Sequence, residues 1–145
     1  MPKDRDISLK VQNVPSNGID NYTNVIASDG SVYSYQFSEV DDSGDTHIGG
    51  NVSFTSRGKV KININVPHDP HDPADHYQID YVEFAGDVKQ QLSWNVQRTP
   101  FKAMLDNTND DLASVYYLVI VRDTDPDKNN CTIRCDPMIN NRGPA

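Results

Sequence analysis

The sequence predicts an all-β protein, a single-domain antiparallel β-sandwich of about seven or eight strands over residues 1–145. The chain of 145 residues suits one domain, and its 36% of hydrophobic residues suits sheets with one solvated face. Apolar and polar residues alternate in several short runs. Clusters of Asn, Asp, Gly and Pro separate these runs, and no amphipathic helical pattern exceeds two turns. A small closed barrel is the alternative architecture.

The predicted strands differ in their sequence patterns. Residues 60–66 (VKININV) alternate strictly, as expected for a strand with one buried face. Residues 114–121 (SVYYLVIV) form a continuous apolar run, which is typical of a central strand covered on both sides. The acidic segments 40–50 and 122–130 are predicted to be exposed loops. In chain order, the predicted strands are 7–11, 32–37, 47–54, 60–66, 77–84, 93–96, 114–121 and 132–135.

Charge and hydropathy restrict the partners that the chain can have. The net charge of −8 repels nucleic-acid backbones, and the basic residues are scattered, so we expect no nucleic-acid partner. No stretch has the ~20 apolar residues of a membrane helix or the apolar core of a secretory signal. We therefore expect a cytoplasmic protein that does not contact a membrane. No cofactor-binding motif is present, and the sequence does not identify a protein partner.

The two cysteines, Cys131 and Cys135, are four residues apart on one predicted strand. Both side chains should point to the same face, about 13 Å apart, which is too far for a disulfide. Two reduced structural thiols are the simplest interpretation. A two-cysteine half-site for a metal is the alternative.

Three of the four histidines of the chain, His68, His71 and His76, lie within nine residues, interleaved with aspartates. These side chains are ligands for divalent metals. Prolines within the segment prevent the helical spacing of a two-histidine site. We predict a hydrophilic loop between two strands and assign no metal ligands, with metal binding by this loop left open.

Hydrolase and nucleotide-binding motifs are absent: no serine has a Gly-x-Ser-x-Gly setting, and there is no glycine-rich phosphate loop. One carboxylate, that of Asp80, lies among apolar residues of a predicted strand. In the strand 77–84, alternation places Asp80 on the same face as Val82 and Phe84. If that face is buried, desolvation raises the pKa of Asp80 toward the range of a general base. An edge-strand aspartate that faces water is the alternative.

The Asp136-Pro137 bond follows the last predicted strand, and an Asp-Pro peptide bond can be cleaved by its own aspartyl side chain. Because proline has no N–H, the following nitrogen cannot form a succinimide with the aspartyl carboxyl group. The Asp136 side chain can instead attack its own carbonyl carbon, form a five-membered anhydride and expel the proline amine. Water or a lysine amine would then open the anhydride. The other Asp-Pro pairs, at Asp69, Asp72 and Asp125, lie in predicted polar loops, and simple strand termination at Pro137 remains the alternative.

The segments YYLVIVRD and CTIRCDPMINN, which end in Asp-Pro-x-Ile-x-Asn, resemble the DP-EP family of small β-sandwich proteins. The resemblance is most specific over about the last thirty residues. It implies a self-processing, aspartic-peptidase-like activity on the Asp136-Pro137 bond, with segment 137–145 released or kept as a bound peptide. It also implies an assisting lysine, which would form a Lys-Asp cross-link, and a carboxylate that activates water. From their surroundings we choose Lys102, as a partly buried amine, and Asp80 for these roles.

Overall fold

The computed structural model describes residues 4–19, 21–40, 44–49, 52–54, 58–67, 76–85, 91–96, 101–108, 113–125, 127, 130–136 and 138–141. These residues form β-strands and connecting turns, without an α-helix. The strands are β1 (Arg5–Gln12), β2 (Thr23–Ile26), β3 (Val32–Val40), β4 (Thr46–Ile48), β5 (Val52–Phe54), β6 (Val60–Asn65), β7 (Tyr77–Ala85), β8 (Leu92–Val96), β9 (Lys102–Asn107), β10 (Ala113–Asp123), β11 (Thr132–Cys135) and β12 (Met138–Asn141).

The described residues contain twelve strands, so the prediction of seven or eight is too low. Every predicted strand is present, but the segment 47–54 is divided into two short strands, β4 and β5. Strands β2, β9 and β12 were not predicted. The sequences of β2 and β9 do not alternate clearly between apolar and polar residues, and β12 has only four residues.

The strands form two sheets, which confirms the predicted all-β, two-sheet fold. The seven-stranded sheet has the order β2-β3-β1-β6-β9-β8, with β4 also paired to β3. The five-stranded sheet has the order β11-β10-β12-β5, with β7 also paired to β10. The sandwich is not purely antiparallel, because β1 pairs with β6 and β12 pairs with β5 in parallel orientation.

Alternating inward-facing residues of both sheets form one hydrophobic core. On β6, Val60, Ile62 and Ile64 are buried, which confirms the alternation read from the sequence. On β3, the aromatic residues at positions 33, 35 and 37 face the core. The ring of Phe37 meets the ring of Tyr117 from β10 edge-on, with centroids 6.2 Å apart. These aromatic side chains therefore join the two sheets.

Strand β10 lies at the centre of the five-stranded sheet, as the apolar run predicted. Strand β7 pairs along one side of it, and β11 and β12 pair along the other. Cys135 pairs with Val119 and Met138 pairs with Tyr116, so equal numbers of residues separate the two pairs on both strands. The register is therefore the same before and after Asp136. Strands β11 and β12 are two parts of one interrupted strand, and the chain does not leave the sheet at Asp136.

Candidate functional site

Asp136 lies in the interruption between β11 and β12. Along β11, Ile133 and Cys135 are buried and Arg134 and Asp136 are exposed, so the Asp136 side chain faces outward. Among the described residues, its carboxylate has no hydrogen-bond or ion-pair partner. On the same face, Arg134 of β11 forms an ion pair of 3.0 Å with Glu83 of β7, across β10. Arg134 is thus engaged by Glu83 rather than by Asp136.

The backbone of Asp136 is held from the core side. Its N–H donates to the hydroxyl oxygen of Tyr35, at 3.3 Å, and Tyr35 belongs to β3 of the other sheet. Burial raises the pKa of Tyr35, and the hydrogen bond from Asp136 opposes that rise. The Tyr35 hydroxyl therefore stays protonated at neutral pH. Sequence reasoning missed this residue, because nothing in the alternating run 32–37 indicates which tyrosine reaches the opposite sheet.

Lys102 does not lie near Asp136. It is the first residue of β9, pairs with Asn65 and is exposed, so the prediction of a partly buried amine is wrong. Its neighbour Ala103 takes the inward position instead. Tyr35, which contacts Asp136, belongs to β3. Strand β9 is three strands away from β3 in the sheet order, which is about 14 Å at the usual spacing. The buried apolar residues that follow Lys102 in β9, Ala103 and Leu105, lie on the opposite face of the strand.

Asp80 lies at a β-bulge, which the alternating pattern did not predict. Tyr81 pairs with Ile120 and Ile79 pairs with Val121, so Asp80 is the extra residue on β7. Because of the bulge, Ile79 and Val82 are both buried, and Asp80 itself is half-buried. The prediction that Asp80 shares one regular face with Val82 and Phe84 is therefore wrong. Strand β10 separates Asp80 from the strand that carries Asp136.

The cysteines match the structural interpretation. Cys131 and Cys135 are both buried and are not joined by a disulfide. Burial raises the pKa of both thiols, and for Cys131 a hydrogen-bond contact with Tyr33 opposes the rise. Among the described residues, no group of three or more His, Cys, Asp or Glu side chains is arranged to hold a metal ion. The predicted histidine-rich loop lies outside the described residues, apart from His76.

Asp123 is a buried carboxylate that sequence reasoning missed. It is 2% exposed, and its Oδ2 accepts a hydrogen bond of 2.6 Å from the Tyr33 hydroxyl. Its Oδ1 accepts a bond of 3.0 Å from the backbone N–H of Asp125. The strand was predicted to end at residue 121, which put Asp123 in a loop. One further step of the alternation places it on the core face, beyond Val119 and Val121.

A cavity of about 720 Å³ opens at one end of the sandwich, beside Asp123. We call it the end cavity. Strands β1 and β6 end there and β7 begins there. Its lining includes Leu9, Val11, Val66, Tyr77, Asp123 and Asp125. Pockets of this size with apolar walls and a few polar groups are typical of small-molecule sites.

The sequence matches no protein-family model and no curated protein. Among the described residues, no helix has the length and apolar character needed to cross a bilayer. Two features of the molecule could carry a function, the Asp136 interruption and the end cavity.

Proposed function

We propose that the protein cleaves its own chain at the Asp136-Pro137 bond. The observation that carries the proposal is the exposed Asp136 carboxylate, which has no partner among the described residues and lies beside a backbone held at both ends. The ladder pair of Cys135 with Val119 precedes it, and the pair of Met138 with Tyr116 follows it. A backbone fixed on both sides of an exposed carboxylate favours intramolecular attack, because the two reacting atoms belong to one residue.

The reaction needs no group besides Asp136 and water. A carboxyl oxygen of Asp136 bonds to its own backbone carbonyl carbon, and the bond from that carbon to the Pro137 nitrogen breaks. The departing nitrogen takes up a proton and leaves as a secondary amine. Water then adds to the cyclic anhydride, so that Asp136 ends with two carboxyl groups. The products together weigh one water more than the intact chain.

Lys102 and Asp80 take no part in this scheme. Because Lys102 lies on the outward face of the other sheet, the proposal includes no cross-link from its amine to Asp136. Because β10 separates Asp80 from Asp136, solvent water opens the anhydride without its help. Tyr35 is instead the positioning residue, since its hydroxyl holds the N–H of Asp136.

The cleaved segment would stay in place. Residues of β12 pair with β10 on one side and with β5 on the other. Cutting one peptide bond removes none of these ladder pairs. The segment 137–145 is then the bound partner of its own chain, as a separate strand within the five-stranded sheet.

The test is mass spectrometry of purified protein, under both native and denaturing conditions, after incubation at neutral and mildly acidic pH. We expect a native mass one water heavier and a denatured mass that lacks segment 137–145. Asp136→Ala should abolish the cut, whereas Asp72→Ala, at another Asp-Pro pair, should leave it unchanged. Tyr35→Phe should slow the cut without changing its position. An unchanged denatured mass of the unmodified chain after long incubation would disprove self-cleavage.

The alternative is a non-enzymatic binding module, and the end cavity is the observation that favours it. In that case Asp136 only interrupts a strand, and the unmodified chain stays uncut and binds a ligand in the end cavity. The two functions are separable, because the end cavity and Asp136 lie on different parts of the sandwich. The same mass measurement decides between a self-cleaving chain and an uncut one.

A further inference from the structure

Two carboxylates, Asp123 and Asp125, belong to the described lining of the end cavity. Asp123 is buried within its lining, and Asp125 lies half-buried beside it. Among the described residues, neither carboxylate forms an ion pair with a lysine or an arginine. The lysine in the described part of the lining is Lys10, which is exposed and lies on the opposite face of β1 from Leu9. A buried carboxylate without a cationic partner is costly, and a ligand that brings a positive charge offsets that cost.

The hydrogen bonds of Asp123 leave room for such a ligand. A carboxylate offers about four acceptor positions. Within the described residues, two of these positions are used, by the Tyr33 hydroxyl and by the Asp125 backbone N–H. These two donors fix the orientation of the carboxylate, so that a cation in the cavity would meet a rigid acceptor. A preorganised acceptor loses little entropy on binding.

The residues that line the end cavity indicate the chemical character of the uncharged part of the ligand. Leu9 and Val66 are fully or almost fully buried, and Val11 is half-buried. Together with Pro67 they supply an apolar wall. Tyr77 supplies an aromatic ring in the same lining, and aromatic rings attract cations as well as apolar groups. The volume of about 720 Å³ accommodates a compact organic molecule.

We propose that the end cavity binds a small organic ammonium ion, with its charged nitrogen on Asp123 and its apolar or aromatic body against Leu9, Val11 and Val66. His76 lies half-buried in the same lining and provides a further polar contact at the rim. The site is independent of Asp136, so it remains whether or not the chain is cut.

The first test uses the unmodified chain and three probes of similar shape: phenethylammonium, phenethyl alcohol and hydrocinnamate. Titrations followed by two-dimensional amide NMR at physiological ionic strength give both affinity and location. We expect saturable binding of the ammonium ion, with a dissociation constant of about 1 mM or below. Amide shifts should be concentrated at Val11, Val66 and Asp125. The alcohol should bind at least tenfold more weakly, and the carboxylate should not bind.

A pair of variants tests the role of the buried charge. Asp123→Asn should weaken binding of the ammonium ion about tenfold to a hundredfold, which is the usual effect of losing a charged hydrogen bond. Binding of the alcohol should be unchanged. Asp106→Asn, on the outward face of β9, makes the same change in net charge and should have no effect. If Asp123→Asn does not fold, the three probes on the unmodified chain still decide. Equal affinity for the ammonium ion and the alcohol, or shifts scattered over the surface, would overturn the proposal.

Discussion

At the level of single residues, the buried Tyr33 hydroxyl links the two sheets. It donates to Asp123 and contacts the sulfur of Cys131, at 3.3 Å. Burial and these two neighbours raise the pKa of Tyr33, so the hydroxyl remains a donor at neutral pH. A buried carboxylate that loses one of two donors keeps most of its desolvation cost.

Tyr33→Phe should therefore lower the free energy of unfolding by about 1–3 kcal/mol, because it removes one of the two described donors to the Asp123 carboxylate. Urea unfolding of the variant and of the unmodified chain measures the difference. Tyr35→Phe is the matched control, since it removes only a bond of 3.3 Å to a backbone N–H near the surface. A loss for Tyr33→Phe no larger than that for Tyr35→Phe would show that the Asp123 contact contributes little.

Residue roles were predicted unevenly from the sequence, and the reason is physical. The inward positions of β6 and of Cys131 and Cys135 follow from local alternation, which the sequence displays directly. The half-burial of Asp80 depends on a bulge, and a bulge shifts the pattern without leaving a composition signal. The exposure of Lys102 depends on where β9 begins. The closeness of Tyr33 to Asp123 depends on how the two sheets pack, which no local pattern contains.

At the scale of elements, β12 is an internal strand with a partner on each side. Four of its residues pair with β10, and three of them also pair with β5. The ladder hydrogen bonds of β12 are therefore made with segments far away in the sequence. Strand β11, by contrast, follows β10 through a short connection and pairs with it locally.

A chain that ends at Asp136 should be less stable than the full chain by about 3 kcal/mol or more, because several ladder hydrogen bonds of β10 and β5 are lost together. A synthetic peptide of residues 137–145 should restore the lost stability in a concentration-dependent way. A chain that ends at Asn141 keeps β12 and serves as the control. Thermal unfolding with the native peptide and with a scrambled one is the measurement. Equal stability of the two shortened chains would contradict this role of β12.

The strands themselves were predictable in proportion to their length and regularity. Strands β6 and β10 were found because alternation or a long apolar run marks them. Strand β12 was missed because it is short and follows a proline, which usually ends a strand. The pairing of β12 with β5 was beyond sequence reasoning, because parallel pairing between distant segments has no local pattern.

At the scale of the whole molecule, the core contains tyrosine and cysteine side chains that stay protonated because they are buried. Tyr117 and Cys135 are fully buried, and burial raises the pKa of each above its ordinary value of 10.0 or 9.0. In the unfolded chain these groups ionise near their ordinary pKa, whereas in the folded chain they stay protonated. Their contribution to stability is therefore complete below about pH 9 and is lost as the pH rises further.

The free energy of unfolding should accordingly fall above about pH 9, by about 1.4 kcal/mol per pH unit for each such group once it is ionised in the unfolded chain. Urea unfolding at a series of pH values between neutral and alkaline measures this slope. Cys135→Ala removes one of the groups and should make the slope shallower. A stability that does not change across this range would contradict the prediction.

The position of β12 also affects how the protein is made. During synthesis, β5 leaves the ribosome long before its partner residues 139–141 are translated. The edge of β5 that pairs with β12 stays unpaired while about eighty further residues are added. Pairing of such distant segments is slow. In that interval an exposed strand edge is open to association with other chains. The five-stranded sheet closes only after β12 is made, so nascent chains that pause before this point should be the ones that need a chaperone.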